Sequence, residues 1–130
     1  MKILLCAALI YVSFQSNAQL YRYSKIKQIK KENQVTKISE DSLYSTFLIV
    51  IPKKVALHFH KTHSENIVVV GGKAIMKLGN DTLVIQKGDQ LTIPMNTPHE
   101  VIRVISKKPL TVYSIQSPKF DGSDRFFIKP

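Results

Sequence analysis

The sequence predicts an all-β fold, a sandwich or small barrel. Three observations carry that prediction. Short runs rich in β-branched and aromatic residues recur between residues 43 and 117. Several alternate apolar with polar residues, the signature of a strand with one buried face. Turn signals built from Gly, Pro, Asn and Asp separate them every eight to twelve residues, and no long segment has helical periodicity.

Taken in order, the segment 43–51, LYSTFLIVI, is a strand stopped by Pro52. Residues 55–61, VALHFHK, alternate. Residues 66–70, NIVVV, form a short apolar strand ended by Gly71-Gly72. Residues 73–78 run into Gly79-Asn80-Asp81, a hairpin signal, and residues 82–86 return from it. Residues 90–94 follow Lys87-Gly88-Asp89 and end at Pro94. Strands at 99–105 and 110–116 are joined through Ser106-Lys107-Lys108-Pro109. The tail reads as loop with a last short strand at Phe126–Ile128. Residues 19–42 are polar and basic and read as an irregular lead-in with one edge strand.

The chain has 130 residues, the size of one domain. Its first eighteen residues read as a targeting segment. Lys2 precedes an apolar run from Ile3 to Phe14, and Ser16-Asn17-Ala18 supplies a small-x-small cleavage site. The run is short for a bilayer span. The expectation is therefore a signal peptide over 1–18, a basic lead-in over 19–42 and a barrel with its tail over 43–130. The mature chain would be secreted or periplasmic, with no transmembrane anchor. Cys6, the one cysteine, would leave with the signal. Disulfides and a zinc finger of cysteine ligands are then excluded. Free ATP or NAD is not expected outside the cytoplasm. No Gly-x-Ser-x-Gly elbow supports a serine hydrolase. The net charge is +10, but the lysines are scattered and no nucleic-acid module accompanies them, so nucleic acid is not an expected partner. YRYSKIKQIKK (21–31) is the one stretch that interleaves aromatics with base.

Chemistry concentrates in LHFHKTHSE, residues 57–65. Three of the four histidines of the chain fall there. His58 and His60 are two apart on a strand, so both imidazoles share one face, and Leu57, Phe59 and Lys61 take the other. Glu65 opens the next strand in phase with Ile67 and Val69. A carboxylate at the rim of an apolar interior costs several kcal/mol unless it is paired or metal-bound. Two neutral imidazoles and a carboxylate suit a divalent transition metal, and His99, opening a separate strand after PMNTP, completes a set of four. His63 reads as an exposed turn residue, with a general base as the sharper alternative.

With His99 placed, the chain resembles the cupins. A first motif is matched by His58-Phe59-His60, four residues, Glu65, six residues and Gly72. A second is matched by Gly88, five residues, Pro94-Met95-Asn96, two residues and His99. The sequence departs from the family pattern at three places. Pro52 stands where a glycine is usual, Asn96 replaces the glycine of the second motif, and Arg103 sits where asparagine is common. Asparagine tolerates the same left-handed turn. The resemblance implies a double-stranded β-helix, the cupin jelly-roll barrel, with His58, His60, Glu65 and His99 holding one divalent ion: Mn, Fe, Ni, Cu or Zn. It also implies pairing into a homodimer through N-terminal strands.

Within cupins, the stretch from Glu65 to Ile102 is most similar to the mannose-6-phosphate isomerase type II group. That points to a small-molecule partner, a sugar or similar polar compound. Three activities are consistent with the residues. One is isomerase-like, with the ion acting as a Lewis acid and Glu65, His63 or a hydroxide as base. One is a cupin dioxygenase using a redox metal. The third is a sugar- or metal-binding module without catalysis. By strand parity Arg103 shares the His99 face and is a candidate for holding an anionic substrate. Gln116, in phase with Ser114, is a second substrate-binding candidate.

Overall fold

The computed structural model describes residues 20–22 and 31–129. The expected signal segment lies outside the described residues, as does most of the basic stretch after Arg22. Ten strands form among the described residues: β1 (Gln34–Glu40), β2 (Ser45–Ile51), β3 (Val55–Phe59), β4 (Ser64–Gly71), β5 (Lys73–Leu78), β6 (Asp81–Gln86), β7 (Gln90–Ile93), β8 (His99–Val104), β9 (Leu110–Ser117) and β10 (Phe126–Phe127). They make two antiparallel five-stranded sheets, ordered β1-β2-β9-β4-β7 and β10-β3-β8-β5-β6. This is the double-stranded β-helix that the sequence predicts. The lead-in supplies the edge strand β1, and the tail returns as β10 beside β3.

The core lies between the sheets. On β4, burial alternates so that Glu65, Ile67 and Val69 face inward, the parity read from the sequence. Ile67 and Val69 pack with Met76, Ile93, Leu110 and Val112. Each fully buried aliphatic side chain of this kind contributes roughly 1.5–3 kcal/mol.

Two turns fix the ends of these strands. Gly72 has φ +80°, and a Cβ there would lie 2.4 Å from the Pro109 carbonyl oxygen, so backbone passes where no side chain fits. Asn96 sits at φ 62°, the left-handed conformation that asparagine tolerates in place of glycine. Its amide donates to the His60 carbonyl at 2.6 Å, docking the turn before β8 onto the end of β3.

One strand breaks the alternation. β8 pairs with β5 through Met76↔Val101 and then Ile75↔Arg103, leaving Ile102 as an extra residue in a bulge. Val101 stays buried, but beyond it the phase is lost.

Candidate metal centre

Four strand ends converge at one mouth of the barrel. His58 on β3 and His99 on β8 are direct cross-strand partners. Across the interior, Glu65 on β4 pairs with Gln116 on β9. All four of these residues, and His60 just beyond β3, are buried. The ring centroids of His58 and His99 are 4.2 Å apart, and His60 lies 5.1 Å and 5.2 Å from them.

Every imidazole of this triad is held by its inner nitrogen. His58 Nδ1 donates to the Ala56 carbonyl at 2.8 Å and His99 Nδ1 to the Thr97 carbonyl at 2.9 Å. His60 Nδ1 donates to the Asp124 carbonyl at 2.5 Å. A carbonyl only accepts, so the proton of a neutral ring sits on Nδ1. The lone pair of Nε2 is left free in all three, and each Nε2 is buried without a hydrogen-bond partner. Three orphaned nitrogens in one space would each cost a desolvation penalty. Their ligand atoms lie within 4.8 Å of one another, so the triad could hold a metal ion.

Glu65 is arranged in the same way. Its Oε1 accepts from Ser114 Oγ at 2.5 Å and from Gln116 Nε2 at 3.3 Å. Its Oε2 points the other way, 3.5 Å from His99 Nε2 and 3.8 Å from His60 Nε2. One oxygen is anchored and one is presented to the imidazoles, which is how outer contacts orient a metal ligand.

The electrostatics follow from burial and neighbours. Burial, with the charges of His99 and Arg125, pushes His58 down to about 3. Burial opposes a proton on His60 as well, but the Glu65 carboxylate and the Asp124 carbonyl outweigh it, and its pKa is raised. Glu65 is likewise desolvated, yet His60, His99 and Ser114 hold it well below the usual carboxylate range.

The remaining predicted residues are placed differently from one another. Gln116 sits beside Glu65, with its amide oxygen buried and unpartnered. Arg103 does not reach the site. The bulge at Ile102 breaks the parity that would put it on the His99 face, and its side chain is exposed. His63 is a correction of another kind: it is 1% exposed, not an open turn residue. Its Nδ1 lies 2.7 Å from Asp124 Oδ2, and its ring packs 4.2 Å from that of His60 and edge-on to Phe120.

Asp124 is the functional residue that the sequence reading missed. Its carboxylate accepts from the Lys61 and Thr62 amides at 2.7 Å and 2.8 Å and from Thr62 Oγ1 at 2.6 Å. Those bonds outweigh its desolvation and hold its pKa below the usual range. One residue thus clamps the turn after β3 and, through its carbonyl, orients His60. His60, His63 and Asp124 also have donor atoms within 4.8 Å. The Asp124 oxygens are already committed there, so this set reads as support for the first.

A family model described as the cupin domain matches residues 47–116, more than half of the chain. The chain belongs to the cupin family. An uncharacterized protein of Methanocaldococcus jannaschii is 31% identical over 77 residues, 59% of this cupin and 61% of the relative. This cupin thus spans about three-fifths of the length of the curated relative it matches. An uncharacterized conserved protein with a double-stranded β-helix domain from Klebsiella pneumoniae superposes with a TM-score of 0.73, at 14% identity over 88% of this chain and 100% of that one. A proposed mannose-6-phosphate isomerase from Ralstonia eutropha superposes with a TM-score of 0.66, at 16% identity over 73% and 93%. At these identities the solved structures speak to the fold.

Within this cupin, Asp124→Ala orphans three donors of the Lys61–Ser64 turn. The expected result is a loss of roughly 3 kcal/mol of stability in urea melts of the metal-free chain. Unchanged melts would show that the clamp is not needed for the turn.

Proposed function

We propose that this cupin is an exported metal-dependent enzyme acting on a small oxygen-rich molecule, a sugar or close relative, by isomerase-like proton transfer. The observation that carries the reading is the set of three buried Nε2 atoms without partners, beside a carboxylate oxygen turned toward them. His58, His60, His99 and Glu65 would hold one divalent ion, which when bound supplies Lewis-acid polarisation of a substrate carbonyl. The protein's own groups do the rest. Ser114 and Gln116 keep Glu65 aimed. Apolar walls such as Ile67, Met76 and Val112 keep bulk water out of the interior pocket, whose free volume is about 40 Å³. That is room for an ion and one or two small ligand groups, given that a water needs about 10–15 Å³. A substrate would therefore reach in with one edge, its bulk remaining at the mouth. The unpartnered Gln116 amide oxygen, buried beside His60 in an adjoining hollow, can accept a hydroxyl that reaches in.

Export rests on the signal-like segment at residues 1–18. The partner is a small molecule, with no nucleic acid, and β1, an edge strand among the described residues, offers a strand for pairing two copies.

The test uses residues 19–130 loaded with Mn, Fe, Ni, Cu or Zn in D₂O. Neutral sugars, sugar acids and sugar phosphates are offered in turn. The expected result is metal-dependent deuterium incorporation at the carbon beside the carbonyl, seen by NMR and lost in Glu65→Gln. A fully loaded chain that exchanges no proton on any of them would remove the isomerase reading.

A further inference from the structure

The tail strand carries a feature that the metal ligands do not explain. β10 pairs with β3 in the register Phe126↔Phe59 and Phe127↔His58. Directly opposed residues in antiparallel strands project to the same face. Phe127 therefore shares the face of His58, and their rings lie 5.8 Å apart. Phe126 takes the opposite face and stacks on Phe59. Arg125 is one step beyond the ladder, two residues from Phe127, and falls beside His60 in the same phase.

The cavities agree with that parity. Arg125 lines the interior pocket together with His58, Glu65 and His99. It also lines a second hollow of about 50 Å³ with His60, Gln116 and Phe120. It is the side chain common to both on the tail, and it is exposed. The backbone holds it there: the Arg125 amide donates to the Ser123 carbonyl at 2.7 Å, and Asp121 caps the Ser123 and Asp124 amides.

The guanidinium has no carboxylate partner among the described residues. It lies 5.9 Å from the Phe127 ring centroid. Asp124, its neighbour, is turned inward and saturated by the Lys61–Thr62 turn. Two carboxylates line the interior pocket with Arg125: Glu65, already held by Ser114 and Gln116, and Glu100, which lies out of phase with His99 and opposite Lys77 on β5. A free planar fork of donors thus stands at the mouth of an apolar pocket. With a divalent ion inside, one carboxylate would face an ion and a guanidinium, leaving the site net positive. The chain's overall charge of +10 adds attraction for the same sign of ligand.

We infer that Arg125 recognises an oxyanion group of the substrate, so that the substrate class is a small hydroxy or oxo acid. Its hydroxyl or carbonyl edge faces the donor set, and its carboxylate or phosphate is forked by Arg125. The exposed Phe127 ring flanks the carbon skeleton. This assigns to Arg125 the anion-holding role that strand parity suggests for Arg103. The inference rests on the proposed metal centre only for the inner edge of the ligand; the anion contact belongs to the chain itself.

The experiment is calorimetric titration of the full mature chain, metal-free and Zn-loaded, with glycolate, glycerol 3-phosphate and uncharged glycerol. Metal content is measured on the same samples. The wild type is expected to bind one or both anions more tightly than glycerol, with the preferred arm separating carboxylate from phosphate. Arg125→Gln should weaken the anion by roughly 10- to 100-fold, leave glycerol and zinc content unchanged, and be partly rescued in Arg125→Lys. Arg125 is exposed, so the variant should retain the wild-type circular dichroism. Zinc bound normally, with Arg125→Gln holding the anions as tightly as the wild type, would overturn the inference and leave the metal centre standing. So would a wild type that prefers neither anion. Arg125-dependent anion binding by a chain that takes up no zinc would support the inference while removing the metal reading.

Discussion

Replacing His58 with alanine is expected to abolish stoichiometric metal binding. Wild-type residues 19–130 should take up one divalent ion, and His58→Ala should retain little after desalting. The reason lies in how the four donors are supplied. His58 and His99 are cross-strand partners, and their Nδ1 atoms are pinned by carbonyls two residues away, so neither ring can swing to fill a gap. Glu65 is fixed through Oε1 by Ser114 and Gln116. A rigid set that loses one member cannot close around the ion. Removing an outer partner of a metal ligand costs about 10–100-fold in affinity, and loss of the ligand itself should exceed that. Plasma emission analysis of both chains settles the matter. Equal metal in wild type and variant would place the ion elsewhere, and metal in neither would leave an apolar barrel with three unexplained nitrogens.

The same rigidity explains which parts of the site are legible in the sequence. His58 and His60 follow the two-residue period of a strand. Glu65 follows the period of its own strand, where burial alternates with Ile67 and Val69 as expected. Asn96 is readable because a left-handed turn needs glycine or asparagine, and φ is 62°. These are local rules.

Arg103 fails because a single extra residue, Ile102, resets the phase of β8, and no local pattern announces a bulge. His63 fails for a long-range reason. On its own turn it would be open to water, and it is covered by Asp124 and Phe120 from a tail some sixty residues away. The Asp121-Gly122-Ser123-Asp124 turn is visible in the sequence, but its destination is not. Arg125 is hidden for the same reason, since its phase is set by pairing of β10 with β3.

Acid should destabilise the metal-free protein well above the pH at which its carboxylates titrate. His58 is depressed from 6.5 to about 3 by burial first and by neighbouring positive charge second. A depressed pKa means that the unfolded chain binds the proton more readily than the fold does. Its contribution to stability is therefore complete above 6.5 and is lost as pH falls toward 3. The loss reaches about 2 kcal/mol at pH 5, at about 1.4 kcal/mol per unit. His63 is lowered by burial and adds in the same direction. Glu65, held low by His60, His99 and Ser114 against its desolvation, adds to the loss below 4.5. His60 works the other way. Its raised pKa favours the protonated fold below 6.5, and that contribution fades as pH rises through the raised value. Metal uptake must displace the His60 proton, so affinity should climb with pH over the same range. Urea melts at pH 7.5 and pH 5, metal-free, compared between wild type and His58→Gln, test the first half. The wild type should lose more stability than the variant, and equal losses would remove His58 as the cause. Calorimetry of zinc binding in buffers of different ionisation enthalpy tests the second half. Proton release that rises as pH falls below His60's raised pKa is expected, and zinc binding without proton release would mean that His60 is already neutral or not a ligand.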